Sequence, residues 1–231
     1  MMIDFYYNFG PNPMKVALFL EEAGLPYRLV PVDMLRGEQF SPEIVELNPN
    51  SKLPIVVDDG VAIFDSNAIL LYLAEKYQRF LPAAEHRAQL LSWLMFVATG
   101  LGPYSGQAVH FRHYAPEPKD YAVQRYAFEA RRHYDVLEGH LANRQWMVGD
   151  AFSIVDMATW GWIRNMDYVL GPDARAELPN VVRLLAAIDA RPAAQAAAGL
   201  REKHAFKAEF DKEARQAMFR HVEPAKQPAA Q

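Results

Sequence analysis

Four short stretches of this sequence carry residue types whose spacing could do chemistry: Asn12 beside Pro13, Leu53-Pro54, Asp65-Ser66, and His110 with His113. A proline cannot donate to a β-ladder, so Pro54 marks a sheet edge, a strand start or a cis peptide. If its peptide bond is cis, Leu53 turns its backbone N–H and C=O outward, where an extended peptide can pair. Ser66 opens a helical run, so its N–H and hydroxyl can hold an anion at the positive helix end. Asp65 or Ser66 also serves as a plain helix cap, and the two roles are compatible. Asn12 reads either as the N-cap of a helix with Pro13 at its first position or as a side-chain donor to an anion. His110 and His113 have no third ligand at suitable spacing, so no metal is expected there.

The chain of 231 residues contains no cysteine. Disulfides, thiolate-bound zinc and a protein thiol nucleophile are thereby excluded, and sulfur chemistry must arrive with a ligand. A composition of 51% hydrophobic and 23% charged residues is that of an ordinary globular protein able to bury a core. A formal charge of −4 and a pI near 6.0 give no basic field, so nucleic acid is not an expected partner. Met1-Met2 runs into Ile3-Asp4-Phe5 without a leader pattern, and no apolar run is long enough for a membrane span, so the expected compartment is the cytoplasm.

These residues need elements to position them. Ile3 to Tyr7 reads as a strand ended by Asn8-Phe9-Gly10-Pro11, and Val16, Phe19, Leu20 and Ala23 recur at helical spacing before Gly24. Tyr27 to Val32 reads as a second strand, and Ser41-Pro42-Glu43 starts a second helix. Leu53 to Val57 and Val61 to Phe64 flank Asp58-Asp59-Gly60, a hairpin signature, and a third helix follows Asp65. The order is β-α-β-α-β-β-α. Beyond the linker of residues 79–85 the pattern is helical: Tyr121 to His140 is one long run, and Ser153 to Asp156 resembles a capping box with Asp in place of Glu. The expected fold is an α+β thioredoxin-like N-terminal domain (1–78) followed by an all-α helical-bundle domain (86–200). Residues 201–231 are expected to add one more helix, Arg201 to Arg220, and a loose tail from Glu223.

Asn48-Pro49-Asn50-Ser51-Lys52-Leu53-Pro54, followed by Phe64-Asp65-Ser66-Asn67-Ala68-Ile69-Leu70-Leu71-Tyr72-Leu73, resembles the glutathione transferase superfamily, and the likeness runs to about residue 200. Gly10-Pro11-Asn12-Pro13-Met14-Lys15, Leu20-Glu21-Glu22-Ala23-Gly24, Gly37-Glu38-Gln39-Phe40, Leu101-Gly102-Pro103, Gly106-Gln107 and Tyr114-Ala115-Pro116 resemble the nu class within it.

The resemblance implies a dimeric enzyme that binds glutathione and reduces small disulfides with it. Leu53 and Pro54 would hold the cysteinyl part, Ser66 and Asp65 the γ-glutamyl end, and Gln39 and Lys52 the glycyl end. Asn12 would donate to the sulfur. Gly10 stands where many nu-class members carry a threonine, so a hydroxyl donor is replaced at most by a backbone N–H. Tyr6 falls where tyrosine-type transferases place their catalytic hydroxyl, and Arg132 resembles an arginine that reaches the glutathione site. Phe9, Tyr104, Gln107, His110, Phe111 and His113 would line the pocket of the second substrate. Without a protein thiol, one glutathione thiolate must attack the disulfide and a second must resolve the product, so two glutathiones or oxidised glutathione must fit. Conjugation to an electrophile and non-catalytic glutathione binding are the alternatives.

Overall fold

The computed structural model describes residues 2–117 and 119–220; the expected tail from Glu223 lies outside them. Strand β1 (Ile3–Tyr7) leads to helix α1 (Pro11–Ala23), strand β2 (Tyr27–Pro31), helix α2 (Pro42–Leu47), the hairpin of β3 (Ile55–Asp58) and β4 (Val61–Phe64), and helix α3 (Ser66–Tyr77). The sheet order is β2-β1-β3-β4, with β1 parallel to β2 and every other pair antiparallel. This is the expected β-α-β-α-β-β-α thioredoxin-like domain. Asp59 (φ 52°) and Gly60 (φ 80°) make the hairpin turn, which needs two left-handed residues.

Strand β1 buries one face fully and the other in part. Ile3, Phe5 and Tyr7 enter the main core with α1 and α3, whereas Tyr6 packs with Val32, Ile44, Leu53 and Ile55 on the α2 side. Two local expectations are corrected. Gly10, not Asn12, is the N-cap of α1, and it caps without a side chain; Asn12 is the second residue of the helix. Strand β3 begins at Ile55, so Pro54 precedes the strand instead of sitting within it, and the Leu53–Pro54 bond is cis.

The helical domain comprises α4 (Arg87–Phe96), α5 (Gly102–Val109), α6 (Asp120–Leu141), α7 (Ile154–Ile163), α8 (Met166–Leu170), α9 (Ala174–Glu177), α10 (Pro179–Asp189) and α11 (Pro192–Gly199). Two π-helical segments, Val97–Leu101 and His110–Tyr114, flank α5. Ser153 and Asp156 form the expected capping box of α7. All ten residues of α7 are buried, because α1, α3, α4 and α10 surround it. Helix α1 also packs on α11, where Arg191 donates to Glu22 at 2.8 Å.

The helix expected over Arg201 to Arg220 is not formed as one element. A 3-10 turn (Leu200–Glu202) is followed by irregular chain and the short helix α12 (Lys212–Met218). Tertiary contacts override helix propensity there: Phe206 packs edge-on against Tyr7 and Phe9, and the Lys207 N–H donates to Asp33 Oδ2 at 2.7 Å. Helix α12 rests on the turn Met34–Arg36. No helix among the described residues is long and apolar enough to cross a membrane.

Candidate functional site

Three local structures converge at the ends of β1 and β3. The first is the cis Leu53–Pro54 step, with Leu53 and Pro54 buried just ahead of β3. Asn48 fixes its approach by donating to the Lys52 carbonyl at 2.7 Å, while the Lys52 side chain is exposed.

The second is the start of α3. Asp65 caps the helix, its Oδ1 accepting from the N–H of Asn67 (2.9 Å) and of Ala68 (3.2 Å). It does so with φ 69° and ψ 122°, a backbone state that costs a non-glycine residue about 1–3 kcal/mol and is characteristic of functional positions. Ser66, 5% exposed, lies one residue inside this cap, so its N–H precedes any intrahelical acceptor. Its Oγ accepts from Lys15 Nζ at 3.2 Å, and Lys15 also donates to Asn67 Oδ1 at 3.3 Å. Lys15 is fully buried, and that burial pushes its pKa down to about 7 against the opposing pull of Asp65.

The third is the first turn of α1. Trp162 Nε1 donates to Asn12 Oδ1 at 3.1 Å across 150 residues of sequence. An indole N–H can only donate, so this bond settles which end of the amide faces Trp162 and turns the Asn12 NH2 away from it. That NH2 meets no acceptor among the described residues. Trp162 is held in turn by close packing: a Cβ on Gly102 would lie 3.0 Å from its Nε1, and one on Gly106 would lie 3.6 Å from its ring. Neither Trp162 nor Lys15 was singled out from the sequence. The available signal was Gly102 and Gly106 at helical spacing with a tryptophan elsewhere in the chain, a pattern that says nothing about Asn12.

Several sequence expectations change here. The Gly10 N–H donates to Asn8 Oδ1 at 2.8 Å, so the backbone donor read at Gly10 is already engaged. Tyr6 points to the α2 side of the sheet, away from α1. Its neighbour Tyr7 faces the α1 side, and its hydroxyl meets His204 Nδ1 at 2.7 Å. Arg132 is committed to Glu129, at 2.9 Å, in a chain that also includes Arg125. Gln39 is 2% exposed and its Oε1 accepts no hydrogen bond from the described residues, which leaves a buried acceptor for an N–H donor.

Of the residues read as a second-substrate pocket, Tyr104, Phe111 and His110 join in one run of ring contacts through Tyr126. Phe9 packs under Phe206 and Arg201. Tyr104 stacks on His133, and Phe111 lies parallel to Tyr126 at 5.2 Å. His110 contacts Phe219 of the C-terminal segment, whereas His113 stacks on Tyr168 at 4.0 Å on the exposed surface. Gln107 is exposed. The described residues contain no cluster of three potential metal ligands.

A thioredoxin-like sheet with a cis-proline step at its edge, a carboxylate-capped helix start and an oriented amide on the neighbouring helix lie against a helical domain. The family model of the glutathione S-transferase N-terminal domain matches residues 9–76, and that of the C-terminal domain matches residues 95–192. The chain belongs to the glutathione S-transferase family. The disulfide-bond oxidoreductase YfcG of Escherichia coli (strain K12) is 47% identical over 170 residues, covering 70% of this chain and 79% of that protein. A Burkholderia graminis glutathione transferase solved with two glutathione molecules per subunit superposes with a TM-score of 0.81 at 36% identity, over 88% of this chain and 90% of that one. A Pseudomonas putida glutathione transferase holding one glutathione disulfide per subunit gives 0.79 at 36% identity, over 87% and 92%.

Proposed function

We propose that this protein is a glutathione-dependent disulfide reductase in which Asn12 stabilises the glutathione thiolate. The observation that carries the reading is the Asn12 amide, oriented by Trp162 so that its NH2 is free at the start of a helix capped without a side chain. A free thiol has a pKa of about 8.5, and lowering it by ~2 units requires ~2.7 kcal/mol of preferential thiolate stabilisation. A hydrogen bond to a charged group supplies ~1.5–3 kcal/mol and a helix end ~0.3–1 kcal/mol, which together suffice.

Leu53 would pair its backbone with the cysteinyl part of the tripeptide, Ser66 would take the γ-glutamyl carboxylate, and Asp65, whose second carboxylate oxygen stays clear of the cap, would take the ammonium group. Gln39 and Lys52 would meet the glycyl end. In the first step the thiolate attacks one sulfur of the substrate disulfide, forming a glutathione mixed disulfide and expelling a thiolate. A second glutathione thiolate then attacks that mixed disulfide, yielding glutathione disulfide and the second product thiol. With no cysteine in the chain, both electrons come from the two glutathiones. The solved neighbours that hold two glutathiones or their disulfide agree with a site of that capacity.

The dimer belongs to the same proposal: Val61 and Phe64 on β4 and Leu91 and Met95 on α4 are large apolar side chains left exposed. The deciding experiment compares turnover of hydroxyethyl disulfide with that of chlorodinitrobenzene, each with glutathione. Reduction of the disulfide at the higher kcat/KM is expected. Turnover of only the electrophile would make the protein a conjugating transferase, and binding of glutathione with neither turnover would make it a binding protein.

A further inference from the structure

The side chain of Lys15 is a buried amine next to the site. A fully buried amine is normally replaced by an apolar residue of similar volume unless its charge is used. Here the fold makes room for it. On α7 a Cβ at Gly161 would lie 2.5 Å from Lys15 Cγ, so that helix gives up a side chain where the lysine stem passes. Its two hydrogen-bond acceptors, Ser66 Oγ and Asn67 Oδ1, are both neutral. A neutral amine has two N–H groups and saturates both, while an ammonium has a third donor for which the described residues offer no acceptor.

The Ser66 bond also has a direction. Because Ser66 Oγ accepts from Lys15, its own hydroxyl hydrogen is free to be donated, and no described residue receives it. Asn67 is fixed from behind by its Nδ2 bond to the Leu94 carbonyl at 2.8 Å, so the acceptor pair cannot turn away. The charge that acts on the amine is that of Asp65, the cap of α3, and α7 presents Gly161 to its stem.

We infer that Lys15 is a buried proton-linked member of the glutathione site, which takes up a proton as the γ-glutamyl carboxylate docks on Ser66 and releases it when the tripeptide leaves. The inference rests on the proposed glutathione binding. An anion one hydroxyl away from the amine favours its charged form, and the cation in turn strengthens the Ser66 O–H as a donor to that carboxylate. The protein thus senses ligand charge at α3 through a residue of α1, in the same helix as Asn12.

The test uses S-methylglutathione, whose sulfur cannot ionise, in calorimetric titrations at pH 8 in buffers of different ionisation enthalpy. The full chain is expected to take up more than about half a proton per tripeptide, and its affinity to fall about fivefold from pH 7.5 to 8.5. In Lys15→Met the uptake and the pH slope should fall to the share that the ligand amine contributes equally to both proteins, with affinity at pH 7 lowered about tenfold. Equal proton uptake in the two proteins overturns the inference while leaving glutathione binding intact, and an absence of binding by the unmodified chain takes down both. Should Lys15→Met fail to fold, carbon-13 titration of labelled lysines in the unmodified protein decides. One lysine titrating near neutrality, with its midpoint raised by at least about one unit on saturation, is expected; an unmoved midpoint, or no lysine titrating in that range, overturns the inference.

Discussion

Two helix starts face the same site and are built in opposite ways. Helix α3 begins with a carboxylate cap, which takes the N–H groups of Asn67 and Ala68 and leaves those of Ser66 for a ligand. Helix α1 begins at Gly10 with no side-chain cap, and the side chain that might have capped it, Asn12, is instead held by Trp162. Behind Ser66 stands a buried amine able to carry a full charge; behind Asn12 stands only an indole dipole. On the proposed function, the difference follows from what each would hold. A carboxylate is charged throughout, so a counter-charge costs nothing in selectivity, whereas a sulfur that must first ionise and then leave needs a neutral, oriented donor. On the proposed function, the α3 start is a binding device and the α1 start a reactive one.

The comparison can be broken by exchanging those roles. Asn12→Ala should have the largest effect. Loss of a hydrogen bond to a charged sulfur, ~1.5–3 kcal/mol, lowers kcat for hydroxyethyl disulfide roughly 10- to 150-fold, with KM for glutathione within about threefold of its original value. If KM rises and kcat holds, α1 is a binding device after all. Ser66→Ala should show the reverse, with KM for glutathione raised roughly tenfold and kcat nearly retained. Trp162→Phe keeps the ring and removes only the N–H. The Asn12 amide is then free to rotate, and kcat should fall by about three- to tenfold while S-methylglutathione binds unchanged; ultraviolet thiolate absorbance of bound glutathione should titrate at higher pH. A separate prediction concerns stability. Burial depresses the Lys15 pKa to about 7 in the folded chain, against an unfolded value of 10.5, so the unfolded state binds more protons in that window. Urea midpoints should therefore rise with pH between about 7 and 10, and the rise should be smaller in Lys15→Met.

The strand and helix order of the first 77 residues was legible because its signals are local: alternation in Ile3 to Tyr7, the Asp59-Gly60 turn, and Ser41 and Asp65 as caps. Asn12 was found, but its local signal pointed to capping, and that reading failed because the chain turns into α1 two residues earlier, at Gly10. What fixes Asn12 and Ser66 was not legible. The Trp162 bond spans 150 residues and the Lys15 bond 51, and a tryptophan or lysine in an apolar helix looks the same whether it packs or positions. Tyr6 and Tyr7 illustrate the same limit. Both read as strand residues, and a one-residue difference in register decides which of them faces α1. The segment Arg201 to Arg220 read as one helix, yet the docking of Phe206 and Lys207 took precedence.

That segment also sets an order of events during synthesis. The loop bearing Gln39 is braced by the last part of the described chain: a Cβ on Gly37 would touch Ala217 at 3.5 Å, Arg220 lies over Phe40, and the Lys207 N–H binds Asp33. A ribosome adding about 5–20 residues per second delivers those braces on the order of ten seconds or more after the loop itself has emerged. The sheet and α1 can form early, but the loop proposed to meet the glycyl end is braced only when residues 207–220 have emerged. A nascent chain would therefore hold a tripeptide by its cysteinyl and γ-glutamyl parts before it could hold the third.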